Sequence, residues 1–134
     1  MNEVLIENWN SYVPKDAFVI IVGDVAMGGK SKAGEVKDIL YSLNGSKGLV
    51  KGNHDNYVLD EPVRGCFEWV VDYLECKVVR HNQKSIRFVI SHYPFLTWNG
   101  AGKPNVYHLH GHSHSSINHL NKGTTRLDVG IDNN

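Results

Sequence analysis

The stretch Ala17-Phe18-Val19-Ile20-Ile21-Val22-Gly23-Asp24 decides the fold. A continuous, largely β-branched run stopped by glycine predicts a strand buried on both faces, typical of a parallel sheet. Upstream, Leu5, Trp9, Tyr12 and Val13 follow the apolar stripe of a helix that must end before Pro14. Downstream, Val36, Ile39, Leu40 and Leu43 give a second helical stripe, with Ser31 as a candidate cap and Asn44-Gly45 as its stop. Residues 48–51 form a short second strand, so 17–51 reads as a strand, helix, strand crossover. Further on, 67–71 and 75–79 are strands, and Asn82-Gln83-Lys84 reverses the chain into a hairpin partner over 86–90. Residues 97–105, with Gly100, Gly102 and Pro104, are a loop, and 106–110 and 126–129 are the last strands. No repeat or linker divides the chain, so residues 1–134 are expected to make a single α/β domain.

Composition narrows the function classes. Of 134 residues 41% are hydrophobic, enough to close one core, which argues against disorder. Lys+Arg 14 balance Asp+Glu 14, so there is no basic field to hold nucleic acid or a membrane surface nonspecifically. The run Ala17 to Val22 is far shorter than the roughly 18 residues of a spanning helix, and the start Met1-Asn2-Glu3 is acidic where a signal peptide is basic. The expectation is a soluble, cytoplasmic chain. Cys66 and Cys76, nine residues apart in between, read as two reduced thiols. The anomaly is histidine: six of the eight fall between His92 and His119.

Gly23 to Ser31 lies where a phosphate-binding P-loop would lie, but counting back from Gly29-Lys30-Ser31 puts Asp24 at the first glycine position. A carboxylate there would face the phosphates, so this reading is rejected. Four other elements end predicted strands: Gly23-Asp24, Gly52-Asn53-His54-Asp55, Ser91-His92 and Gly111-His112-Ser113-His114. Loops leaving the carboxyl ends of strands in an open α/β sheet converge on one crevice. A carboxylate, an amide oxygen and three imidazoles suit Mn, Fe, Zn or Ni rather than Ca. Glycines before Asp24, Asn53 and His112 would let the backbone bend where each ligand leaves its strand.

In these blocks the sequence resembles the calcineurin-like metallophosphoesterases, whose pattern is D-x-H, GD, GNH[D/E], H and GHxH. Four of the five blocks occur in order over residues 23–114, and Leu5-Ile6-Glu7-Asn8-Trp9-Asn10 with Ser91-His92-Tyr93-Pro94 is similar to the small bacterial and phage members. The resemblance implies a four-layer α/β/β/α sandwich and a hydrolase of phosphoric ester bonds, a phosphodiesterase or phosphatase, that uses a metal-activated hydroxide. It implies Asp24 bridging two divalent metals, manganese among them, with Asn53, His92 and His112 on the second and His114 on the first. His54 takes the place of the proton donor and Asp55 that of its partner. The substrate would be a small phosphoester or a nucleotide.

The D-x-H block is absent, and its strand belongs upstream of Met1. By the resemblance the chain lacks its first central strand, and it is also clipped slightly after Asp128-Val129-Gly130-Ile131-Asp132. One metal rather than two is then expected, because the first metal keeps only Asp24 and His114. An uncovered hydrophobic edge predicts a homo-oligomer. The second reading is a catalytically weak or silent remnant that binds a single metal or acts through oligomerisation. Asp24, Asn53 and Asp55 taken singly are ordinary turn residues, and His92 an ordinary core histidine. His108, His110, His112 and His114 alternate, so an extended segment would put them on one face; the first two are expected to be supporting or structural. Trp9, Trp69 and Trp98 are expected in the core or a pocket wall, and Lys30 and Lys32 on a solvated face.

Overall fold

The computed structural model describes residues 2–79 and 81–132. Two sheets carry the chain. The first is wholly parallel, β1 (Phe18–Ile21), β2 (Ser46–Val50) and β3 (Trp69–Val71), in the order β1-β2-β3. The second, in the order β4-β5-β6-β7, pairs β4 (Tyr73–Val78) antiparallel with β5 (Ile86–Ser91). It continues in parallel through β6 (Val106–His110) to β7 (Arg126–Asp128). The mixed α/β class, the crossover over 17–51 and the hairpin around Asn82 are as the sequence predicts. Met1, on which the expectation of a missing block is anchored, lies outside the described residues.

Helix α2 (Ala33–Ser42) joins β1 to β2 and turns Val36 and Leu40 into the core against Leu49, Tyr57, Val58, Val63 and Phe67. Each fully buried aliphatic side chain of this kind contributes about 1.5–3 kcal/mol. Ser31 does not cap α2: Lys32 occupies the cap position, and the Ser31 hydroxyl donates to the Gly28 carbonyl inside the preceding tight turn, Gly29–Lys32. That turn also frees no phosphate cradle, since Lys30 pairs with Asp60. Helix α1 (Asn2–Tyr12) forms where its stripe predicts, yet Leu5 and Tyr12 stay exposed. Polar ties seat it instead: the Trp9 indole N–H donates to the Asn44 carbonyl at 2.9 Å, and the Asn44 backbone N–H to Asn10 Oδ1 at 2.7 Å.

The opening strand departs most from expectation. None of the four residues of β1 is fully buried, and Phe18 is 50% exposed. The reason is topological: among the described residues β1 pairs with β2 on one side and with no strand on the other, so here it is an edge rather than a centre. The alternating histidines also divide. His108 and His110 lie on β6 and are wholly buried, whereas the strand stops at His110, so His112 and His114 sit in the loop beyond it rather than on a shared face. A short helix, α3 (Asn118–Asn121), was not predicted from the sequence and leads into β7. No helix among the described residues is long and apolar enough to cross a membrane.

Candidate metal centre

Three of the strand-end loops bring Asp24, His92 and His112 together, with ligand atoms all within 4.8 Å of one another. The amide of Asn53 completes the group. His92 Nε2 lies 3.2 Å from Asp24 Oδ2 and 3.1 Å from Asn53 Oδ1, and His112 Nδ1 lies 3.0 Å from that same Asn53 oxygen. His92 and Asn53 are 39 residues apart in the chain and His112 and Asn53 are 59 apart, so topology, not local sequence, brings them together.

His92 explains the chemistry of the cluster. Its Nδ1 is 3.0 Å from the Val22 carbonyl, and a carbonyl only accepts, so the proton of the neutral ring sits on Nδ1. Nε2 is then a bare lone pair, only 3% of the residue being exposed, and it points at two oxygen acceptors. Lone pairs facing one another at these distances call for a cation between or on them. A ring N–H anchored on a backbone carbonyl is also how metal-binding histidines are commonly held. Two imidazoles, a carboxylate and an amide oxygen fit a borderline divalent transition metal, so the donor set passes as a metal triad with an added amide.

The backbone shows how the loops reach this geometry. The bend falls on the ligands themselves: Asp24 has φ 53° and His112 φ 63°, the left-handed region uncommon for non-glycine residues. Of the preceding glycines only Gly23 is left-handed, at φ 78°. Gly52 is required for another reason, because a Cβ there would collide with Asp24 Oδ1. The expectation of three bending glycines is corrected accordingly.

Asp55 is wholly buried, and its carboxylate accepts the backbone N–H groups of Asp24 at 2.7 Å, Val25 at 2.8 Å and Gly52 at 2.8 Å. Its two oxygens are thus committed to clamping two loops, and no hydrogen bond joins it to the His54 ring among the described residues. Asp55 thereby holds the Asp24 loop against the Gly52 loop. His54 itself is exposed at the rim, and its backbone N–H donates to Asp24 Oδ1 at 3.0 Å. His114 stands outside the cluster. It is exposed and bonded to Asp132, which raises its pKa and lowers that of Asp132.

Two supporting residues went unread in the sequence. Asp128, buried at the end of β7, accepts from the Ser113 hydroxyl at 2.7 Å and from the backbone N–H groups of Gly130 at 3.0 Å and Ser115 at 3.2 Å. Burial pushes its carboxyl up, but these donors outweigh that and hold it below the ordinary range. Its signal was a carboxylate closing a strand beside the histidine loop. Tyr93 sets its ring edge-on to His92 and His112, at centroid distances of 5.3 and 4.6 Å.

No protein-family model matches the chain. It is similar to an uncharacterized protein, MJ1445, of the archaeon Methanocaldococcus jannaschii, 32% identical over 124 residues, which is 91% of this chain. The chain spans 57% of the length of that relative. It is also 28% identical to the Gene 66 protein of Mycobacterium phage D29, covering 96% of this chain and 73% of that protein. Among solved structures it is similar to AQ665 from Aquifex aeolicus, a protein of unknown function, with a TM-score of 0.63 at 20% identity over 98% of this chain and 76% of that one. That likeness shows a shared mixed α/β fold.

Proposed function

We propose that the chain is a metal-dependent hydrolase of phosphoric esters of the calcineurin-like metallophosphoesterase type, its two sheets being the inner layers of that family's four-layer sandwich. The observation that supports this best is the lone pair of His92 Nε2, aimed with His112 Nδ1 at the oxygens of Asp24 and Asn53. Asp24, Asn53, His92 and His112 would hold one divalent transition metal, with His114 as the outlying candidate for a second. A metal so held supplies Lewis acidity, which neutralises phosphoryl oxygens and acidifies water near neutral pH. Asp55 and Gly52 fix Asp24 in place, so the carboxylate is held by a rigid frame. His54, exposed at the rim, is free to give a proton to the leaving oxygen of a small phosphoester or nucleotide. The second reading, a silent remnant that keeps one metal, is favoured by the separation of His114 from the cluster.

The test joins metal analysis to a leaving-group comparison. About one tightly held transition metal per chain is expected after desalting. Manganese-supported hydrolysis of a phosphodiester with an alkoxide leaving group should fall roughly 10²-fold in His54→Asn, while a nitrophenolate ester is spared. Equal loss on both esters, or loss of metal in that variant, removes His54 as the acid. Metal without any turnover leaves the remnant reading.

A further inference from the structure

The loop that presents His112 is built on an uncommon turn. His112 has φ 63°, and the Ser113 N–H donates across it to the Gly111 carbonyl at 2.7 Å. A three-residue turn closed by such a bond around a left-handed centre is the rare, strained kind of γ-turn. Backbone in a conformation of that sort persists only where its surroundings over-determine it. Two contacts at Gly111 do so. Its N–H donates to the His92 carbonyl at 3.1 Å, which ties the turn to the loop of the other imidazole ligand. Its carbonyl, already the acceptor of the turn, lies 2.9 Å from Nδ1 of His110.

The second contact is made by a buried ring. A carbonyl only accepts, so Nδ1 of the neutral His110 ring carries the proton and Nε2 the lone pair. His110 is wholly buried, and its Nε2 has no hydrogen-bond partner among the described residues. Burying an acceptor without a donor costs free energy, and an apolar side chain of similar size would avoid that cost. His108, two residues earlier on the same face of β6, shows the contrast, since its Nδ1 meets the Val89 carbonyl and its Nε2 accepts the Phe95 N–H. His108 is satisfied at both nitrogens, whereas the imidazole of His110 is used through Nδ1 alone. The oxygen that Nδ1 holds belongs to the planar peptide joining Gly111 to His112. Fixing that oxygen fixes the plane from which the His112 residue departs.

We propose that His110 is a positioning residue of the metal centre, whose Nδ1–H latches the Gly111 carbonyl and so keeps the strained turn that brings His112 to Asp24 and Asn53. The inference rests on the metal-binding part of the proposed function and not on the hydrolytic step.

The probe is Mn²⁺ alone, titrated into the full chain and into three variants at position 110, each also unfolded in urea. An Asn side chain carries an amide N–H at the position of Nδ1, so His110→Asn should bind Mn²⁺ about as tightly as the wild type. His110→Leu keeps an apolar volume but no donor, and its affinity should fall roughly tenfold or more. Its urea midpoint should hold or rise, since the orphaned lone pair leaves with the ring. His110→Gln places its amide beyond the Nδ1 position and should lose affinity as His110→Leu does; it carries the test should His110→Leu not fold. Unchanged affinity in His110→Leu and His110→Gln overturns the proposal. So does failure of His110→Asn to keep Mn²⁺ bound, or a loss of affinity matched by an equal loss of stability, which makes His110 a folding residue only. A wild type that takes up no Mn²⁺ ends the metal reading together with this one, whereas Mn²⁺ bound equally by all four proteins ends this one alone.

Discussion

His92 and His108 are built alike up to their second ring nitrogen. His92 follows β5 and His108 lies within β6, both in the second sheet; each is buried, and each sets Nδ1 3.0 Å from a backbone carbonyl, Val22 for one and Val89 for the other. They part at Nε2. In His108 that nitrogen accepts the Phe95 N–H at 3.0 Å, with the ring stacked on Phe95 at 5.0 Å and the Trp98 ring tilted against it at 5.2 Å. In His92 it faces two oxygens. The same residue type with the same tautomer is closed in one setting and open in the other, and only the open one has use for a cation.

The sharpest way to break this comparison is His92→Ala, which should weaken metal binding at least about 10²-fold and leave no metal after desalting, measured by mass spectrometry on folded protein. Retained metal would make the contrast between the two rings meaningless. His108→Ala should leave metal uptake unchanged but cost about 2 kcal/mol in urea unfolding, since it opens a cavity and strands the Phe95 donor. Asp55→Asn tests the frame rather than the rings: it leaves every proposed ligand in place yet should lower metal affinity about tenfold, because the clamp on the Asp24 loop loosens. Unaltered affinity would show that Asp24 is held from elsewhere.

The smallest effect is that of pH. Burial lowers the pKa of His108 below its ordinary 6.5, although the carbonyls of Val89 and Tyr93 act the other way. The unfolded ring therefore takes up its proton first as pH falls, and unfolding becomes proton-consuming below about pH 6.5. Above that value the group contributes nothing to the pH dependence. Stability should drop by up to about 1.4 kcal/mol per pH unit on the acid side for this one ring, and a His108→Phe protein should show a correspondingly flatter urea midpoint between pH 6.5 and 5.

What the sequence discloses follows from how local each signal is. The crossover, the hairpin and the last two strands are read from short apolar runs and turn residues, and all of them form. Asp24, Asn53, His92 and His112 were nameable because each follows a strand, yet their meeting at one point depends on pairing between distant strands. Burial of β1 misread because periodicity reports what a segment can pack against, not whether a neighbour stands on both sides. The clamping role of Asp55 was not legible because a carboxylate beside a histidine looks the same whether it serves the ring or three backbone N–H groups. His114 parts from His112 because both have left-handed backbone, φ 63° at His112 and φ 45° at His114, in a loop beyond the strand, which alternation alone does not reveal.

Arg126 carries a last lesson about how α3 is kept in place. No side chain of that helix is buried, but the guanidinium of Arg126, itself only 7% exposed, reaches the Leu120 carbonyl at 3.0 Å, Asn121 Oδ1 at 2.6 Å and the Phe95 carbonyl at 2.8 Å. One delocalised cation is thus shared among the end of a helix and the loop that shields His108. A lysine offers a single ammonium point where a planar fork has three separate addresses to serve. The helix and the loop are consequently fastened by the same rivet, and loosening either should set both in motion together.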